Sequence, residues 1–241
     1  MHHSKIATLL LASAPLIASH GGGMYYTIDG VVHTGSVLPT ITSPHEANHR
    51  SAYHFVANET AGSIQRTWEW EGYVPESTHI ACSNNGAPFT KSYHAPMHAG
   101  STVTVDYKVA GDKWSFGHPY GPMMAYMAAC PSEGCENVDL SKPIWFKIWQ
   151  TGLLSGQYIT GHWAMKEIYD GANLEIPTPA SLKPGKYLLK HDMINLETGP
   201  VQIFPNCVQL DVSGSGSSVV DANELVAFPG GYDGFYGECS W

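Results

Sequence analysis

Apolar residues fall at every second position in several short stretches, the period of a strand with one face in a core. In residues 102–109, Val103, Val105, Tyr107 and Val109 share one face. In residues 144–149, Ile144, Phe146 and Ile148 alternate with Trp145, Lys147 and Trp149. Residues 24–28 lead into Asp29-Gly30, a strong tight-turn pair. Residues 123–129 are nearly all apolar, as in a strand buried on both faces. Residues 186–196, preceded by the turn pair Pro184-Gly185, and residues 207–212 predict two further strands. Only residues 163–169 predict a helix, and a short one. Short strands punctuated by Gly and Pro predict an all-β fold: an antiparallel β-sandwich of immunoglobulin/fibronectin-III type, with long loops and little helix.

Composition agrees with that class. Gly (25) and Pro (16) are plentiful and charged residues make up only 14%. With 12 Lys+Arg and a net charge of −9 there is no basic stripe for a phosphate backbone, so nucleic acid is not an expected partner. Residues 1–19 read as a signal peptide: Lys5 supplies the positive region, residues 6–17 are apolar but too short to span a bilayer, and Ala18-Ser19 gives the small residues before a cut. Removing them takes away one Lys and no acid, which leaves −10. No other segment is long and apolar enough for a membrane span. The expected product is secreted and extracellular. Its single domain covers residues 20–241, with 213–241 a C-terminal extension packed on it and no separate carbohydrate-binding module. The run Ser213-Gly214-Ser215-Gly216-Ser217-Ser218 has linker composition, but the 23 residues after it are too few for a second domain. Secretion favours disulfides among Cys82, Cys130, Cys135, Cys207 and Cys239, and the odd number leaves one over. Asn58-Glu59-Thr60 is a glycosylation sequon.

Cleavage after Ser19 makes His20 the first residue. Its free α-amine has an ordinary pKa of about 7.7–8.0, so a metal readily displaces the proton. Amine and imidazole together form a two-nitrogen chelate from one residue. A second histidine completes a planar three-nitrogen set, which suits Cu(II). His118 is the candidate: it stands in Gly117-His118-Pro119-Tyr120-Gly121-Pro122, a rigid loop that enters the apolar strand 123–129.

These segments, with Ala128-Ala129-Cys130, Trp145-Phe146-Lys147-Ile148, the run 180–191 and Gln202-Ile203-Phe204-Pro205-Asn206-Cys207, resemble the fungal lytic polysaccharide monooxygenases of auxiliary activity family 9, formerly glycoside hydrolase family 61. The resemblance runs from His20 to about Tyr232. It implies a copper-dependent oxidoreductase that cleaves glycosidic bonds at C1 and/or C4 in cellulose or related β-glucans. One copper ion is the cofactor, O2 or H2O2 the co-substrate, and an external electron donor the reductant. The expected partner is a β-linked polysaccharide, and the protein is expected to be a monomer. His20 and His118 would hold the metal. His191 and Gln202 would act as catalytic outer residues near the oxygen site, through hydrogen bonding and proton delivery. Phe204 stands at the axial position where the family usually carries Tyr, and it offers no oxygen. Tyr232 occupies the family's surface-tyrosine position and, with Tyr25, would contact substrate; Tyr236 and Trp241 could extend that face. The resemblance also implies the disulfides Cys82–Cys207 and Cys130–Cys135, with Cys239 left over.

Two other function classes compete. A secreted non-catalytic copper-binding protein could use the same pair of histidines. A carbohydrate-binding module on a β-sandwich would bind cellulose whether or not His20 is present. A hydrolase is weaker, because no pair of carboxylates stands in a context that suggests general acid and base.

Overall fold

The computed structural model describes residues 21–35, 62–69, 72–89, 91–108, 115–158 and 160–232. The proposed signal peptide, His20, Asn58, Val109, Tyr236, Cys239 and Trp241 lie outside the described residues. Eleven strands and one short helix follow each other as β1 (Gly22–Ile28), β2 (Val31–Thr34), β3 (Ala95–His98), β4 (Thr102–Lys108), β5 (Met123–Ala129), β6 (Trp145–Thr151), β7 (Leu153–Ser155), β8 (His162–Trp163), α1 (Ala164–Tyr169), β9 (Leu174–Pro177), β10 (Gly185–Asn195) and β11 (Gln202–Ser213). They form a four-stranded sheet, β2-β1-β4-β9, a five-stranded sheet, β3-β11-β10-β5-β6, and a small β7-β8 ribbon. Every pair is antiparallel except β3 with β11, which is parallel.

The local chemistry explains these elements. Asp29 and Gly30 both take the left-handed conformation (φ 49° and 78°), so two residues suffice to turn β1 into β2, with Ile28 opposite Val31. In β4, Val103, Val105 and Tyr107 are all buried, as their alternation predicts. Strand β6 departs from its expected alternation. Ala125 pairs with Trp149 and the next residue, Tyr126, with Lys147, which leaves Ile148 as an extra residue. This bulge lets Ile148 and Trp149 both pack against the inter-sheet core.

That core lies between the two sheets and includes Tyr26, Val105, Met127, Leu189 and Val208. A second cluster covers the opposite face of the five-stranded sheet, where Leu188, Ile203, Trp145 and Phe228 meet. Phe228 belongs to the C-terminal segment, which Val226 ties to Trp145 by paired backbone bonds. The Ser/Gly run is tied down as well. Ser218 N donates to Ser181 O, and a side chain at Gly216 would collide with Leu182 O at 2.2 Å. Strand β10 is therefore covered on both faces, and every residue from Tyr187 to Asn195 is buried.

Both disulfides are present. Cys82–Cys207 links positions 125 residues apart and fastens the 80s loop to β11, whereas Cys130–Cys135 closes a five-residue step after β5.

Candidate functional site

His118 sits at the end of the five-stranded sheet, on the loop that enters β5. Backbone bonds fix this loop to the end of β10: Ile194 N donates to Pro122 O (3.0 Å) and Leu196 N to Tyr120 O (3.0 Å). Gly121 is needed there. Its φ is 154°, and a Cβ would lie 1.7 Å from Ile194 O. The imidazole is 7% exposed. Its ring packs against Phe116 (5.6 Å between centroids) and Phe204 (5.5 Å). Its Nδ1 meets Glu197 Oε2 at 3.0 Å. Burial lowers the His118 pKa, and the hydrogen bond and charge of Glu197 oppose that shift.

Phe204 is 2% exposed and also meets Phe116 edge-on at 5.2 Å. Gly72 crosses it closely enough that a Cβ would lie 2.7 Å from both the Phe204 ring and Gln202 Cβ. Gln202, two residues before Phe204 on β11, is half-buried, and its Oε1 accepts from Asn195 Nδ2 at 3.1 Å. Gly21, the first described residue, is buried beside the same cluster. A Cβ there would stand 2.6 Å from Lys108 O and 3.5 Å from the Phe116 ring. The chain thus enters β1 next to an aromatic side chain that touches both His118 and Phe204.

His191, expected as an outer residue of the site, is placed elsewhere. It is fully buried between the sheets, opposite Asn206 on β11 and Ala125 on β5. Its level on the ladder is four residues from that of Asn195 and Gln202, about 13 Å along the strand. Both ring nitrogens are bonded, Nε2 to the Tyr26 hydroxyl (3.1 Å) and Nδ1 to the Tyr107 hydroxyl (2.6 Å). Burial first and the Lys190 charge second hold its pKa at about 3, so the ring is neutral. The network continues inward. Gln65 Nε2 donates to the Tyr26 hydroxyl, Gly23 O and Asn206 Oδ1, and Trp68 Nε1 donates to Gln65 Oε1. This is a closed structural network, and it corrects the expectation that His191 handles oxygen.

Tyr232 is also corrected. It is 4% exposed, and its hydroxyl donates to Asp192 on the outer face of β10. Asp192 bonds Lys190, whose ammonium lies 4.5 Å from the centre of the Phe228 ring. Burial pushes Asp192 up and Lys190 down, and each opposes the other's shift by its charge. Tyr232 thus closes a buried charged pair and is not a substrate platform. Tyr25 lies on the face of β1 opposite the core and is half-buried.

Sequence reading missed Glu197, Asn195 and Phe116. A lone acid after a strand carries no spacing signal; only the pairing of His118 with a residue 79 positions away reveals it.

The donor chemistry at His118 fits a metal. A carboxylate only accepts hydrogen bonds, so Nδ1 points its proton at Glu197, and burial favours the neutral ring, which leaves the lone pair on Nε2. Among the described residues no cluster of three or more His, Cys, Asp or Glu could hold a metal ion.

Comparison with known proteins gives a consistent picture. The chain is 32% identical over 233 residues to an AA9 family lytic polysaccharide monooxygenase-like protein, CEL1, of Agaricus bisporus, spanning 94% of this chain and 66% of that protein. It is 32% identical over 228 residues to AA9 family lytic polysaccharide monooxygenase B of Heterobasidion irregulare, spanning 92% and 84% of the two chains. The crystal structure of HiLPMO9B superposes with a TM-score of 0.72 at 31% identity, over 88% of this chain and 87% of that one. Residues 20–235 match the model of Auxiliary Activity family 9 (formerly GH61). The chain therefore belongs to Auxiliary Activity family 9, the copper-dependent lytic polysaccharide monooxygenases, which cleave polysaccharides oxidatively.

Proposed function

We propose that this chain cleaves cellulose or a related β-glucan at C1 and/or C4, with one copper ion held by His20 and His118. The observation that carries this reading is His118 itself: a buried loop histidine whose Nδ1 meets a carboxylate at 3.0 Å, an arrangement that directs Nε2 to a metal. The start of β1 beside Phe116 brings the residue after His20 to the aromatic side chain that packs on His118. In this reading His20 gives its amine and imidazole, and the copper supplies one-electron redox chemistry toward O2 or H2O2 with an external reductant.

The other residues have separate tasks. Phe204 packs its ring on His118, and that ring would offer a bound metal no oxygen. Gln202, oriented by Asn195, presents its amide at the rim to hydrogen-bond an oxygen atom that reacts there. Tyr25 adds an aromatic edge for a sugar ring. The protein acts outside the cell as a monomer after removal of residues 1–19, carrying Asn58 as a glycan acceptor.

The test is mass spectrometry of soluble products released from cellulose by protein that starts at His20, loaded with copper and supplied with ascorbate and O2 or H2O2. Aldonic acids or 4-ketosugars, absent with His20→Ala, are the expected result. Tight copper binding without oxidised products on a panel of polysaccharides would make the chain a non-catalytic copper-binding protein instead.

A further inference from the structure

The loop carrying His118 and the turn carrying Glu197 are built as one unit. Backbone bonds from Ile194 to Pro122 and from Leu196 to Tyr120 set the register between them. The Tyr158 hydroxyl donates to Leu196 O at 3.1 Å and holds the same turn from another side. Glu197 N donates to Asn195 Oδ1 at 2.9 Å, and Asn195 is fully buried, so the direction of the turn is fixed from the core. Phe116 and Phe204 flank the imidazole and restrict its tilt. Neither phenylalanine can choose which ring nitrogen faces which way, because neither offers a hydrogen bond. The Glu197 carboxylate can, because it accepts from Nδ1 at 3.0 Å.

We propose that Glu197 is a positioning residue of the copper site: by accepting from Nδ1 of His118 it fixes the tautomer and orientation that offer Nε2 to the metal. This rests on the reading of His118 as a ligand. A histidine whose second nitrogen is bonded to a carboxylate is a stronger and better aimed donor, and loss of such a partner typically weakens metal binding by about 10–100-fold. Glu197 does not touch the reacting atoms. Its side chain is 33% exposed, so its removal leaves no buried charge stranded and need not disturb the fold.

The experiment compares the full processed chain with Glu197→Ala, Glu197→Gln and His118→Ala. Nitrogen NMR of the metal-free protein reads the His118 tautomer, and competition titration with Cu(II) reads affinity. The expected result is a proton on Nδ1 of His118 in the unsubstituted protein and a mixture of tautomers in Glu197→Ala. Copper should bind that variant about 10–100-fold more weakly, with a melting midpoint of the metal-free protein close to the original. Glu197→Gln keeps an acceptor oxygen within reach and should recover most of the affinity. The inference is overturned if Glu197→Ala binds copper within twofold of the original, or if Glu197→Gln is as weak as Glu197→Ala, since negative charge rather than orientation would then be responsible. If His118→Ala also keeps its affinity, the ligand reading falls and the inference with it; if His118→Ala loses copper while Glu197→Ala does not, only the inference falls.

Discussion

Two histidines of this protein sit at similar burial and do opposite work. His191 is sealed between the sheets, and both of its nitrogens are taken by the hydroxyls of Tyr26 and Tyr107. His118 stands on a loop at the end of the same sheet, with a carboxylate on Nδ1 and its other nitrogen carrying the lone pair. The difference lies in the partners. Two phenols hold a neutral ring as a structural cross-link. A carboxylate on one side leaves the other nitrogen for the metal proposed above. Exposure would not separate the two residues, since His118 is only 7% exposed and His191 not at all.

The comparison can be broken first at the closed end. Lys190→Met strands Asp192 as a buried carboxylate beside Tyr232, so it should cost about 3–5 kcal/mol of stability by denaturant unfolding. Copper affinity of the folded fraction should not change, because Lys190, Asp192 and Tyr232 bond one another on the outer face of β10, away from the loop that carries His118. A variant that unfolds normally but loses copper would join the two regions that the structure keeps apart.

His191→Leu comes next. It leaves the Tyr26 and Tyr107 hydroxyls without their ring partner, and each such loss costs about 1–3 kcal/mol. The pH dependence sharpens the point. Folding moves His191 from its ordinary 6.5 to about 3. Above 6.5 neither state holds the proton, and stability is complete. As pH falls from 6.5 toward 3 the unfolded chain binds a proton that the folded chain refuses, so stability declines, by at most about 1.4 kcal/mol per pH unit. Melting midpoints measured across that window should fall less steeply with acid in His191→Leu than in the unsubstituted protein. An unchanged slope would mean that His191 is not the refused proton.

The smallest expected effect on the fold is at the other end. Phe204→Tyr adds a hydroxyl to a ring beside His118, and a change of this size should move stability by about 1–3 kcal/mol at most. It should nonetheless change the copper spectrum and redox potential, because it would offer an oxygen beside the proposed His118 ligand. Unchanged resting spectrum and potential would show that Phe204 does not face the metal.

The sequence makes the strands easy to read and the site only half so. Period-two alternation finds β4, and the unbroken apolar run finds β5, because those patterns follow from one packed face and two packed faces. The Asp29-Gly30 turn is legible because few other residues accept two successive positive φ angles. The loop at His118 is legible for a similar reason, since its Gly and Pro residues announce a rigid entrance to β5. His191 misleads because the resemblance alone gives it an outer role near the oxygen site, whereas both faces of β10 are covered and Lys190, His191 and Asp192 each have a partner inside. Tyr232 misleads likewise. The resemblance puts it at a surface-tyrosine position, and only the buried Asp192 across the fold shows why the ring folds inward. Glu197 is invisible in one dimension, since its meaning comes from a contact across 79 residues.

The proposed metal centre is built on His118 and not on His191. Cu(II) titration of His118→Ala and His191→Leu, both starting at His20 and both checked for folding, separates the two. His191→Leu should bind one copper with the affinity of the unsubstituted protein, while His118→Ala should lose at least 100-fold, on the order of 3 kcal/mol. Full affinity in His118→Ala, or its loss in folded His191→Leu, would contradict it.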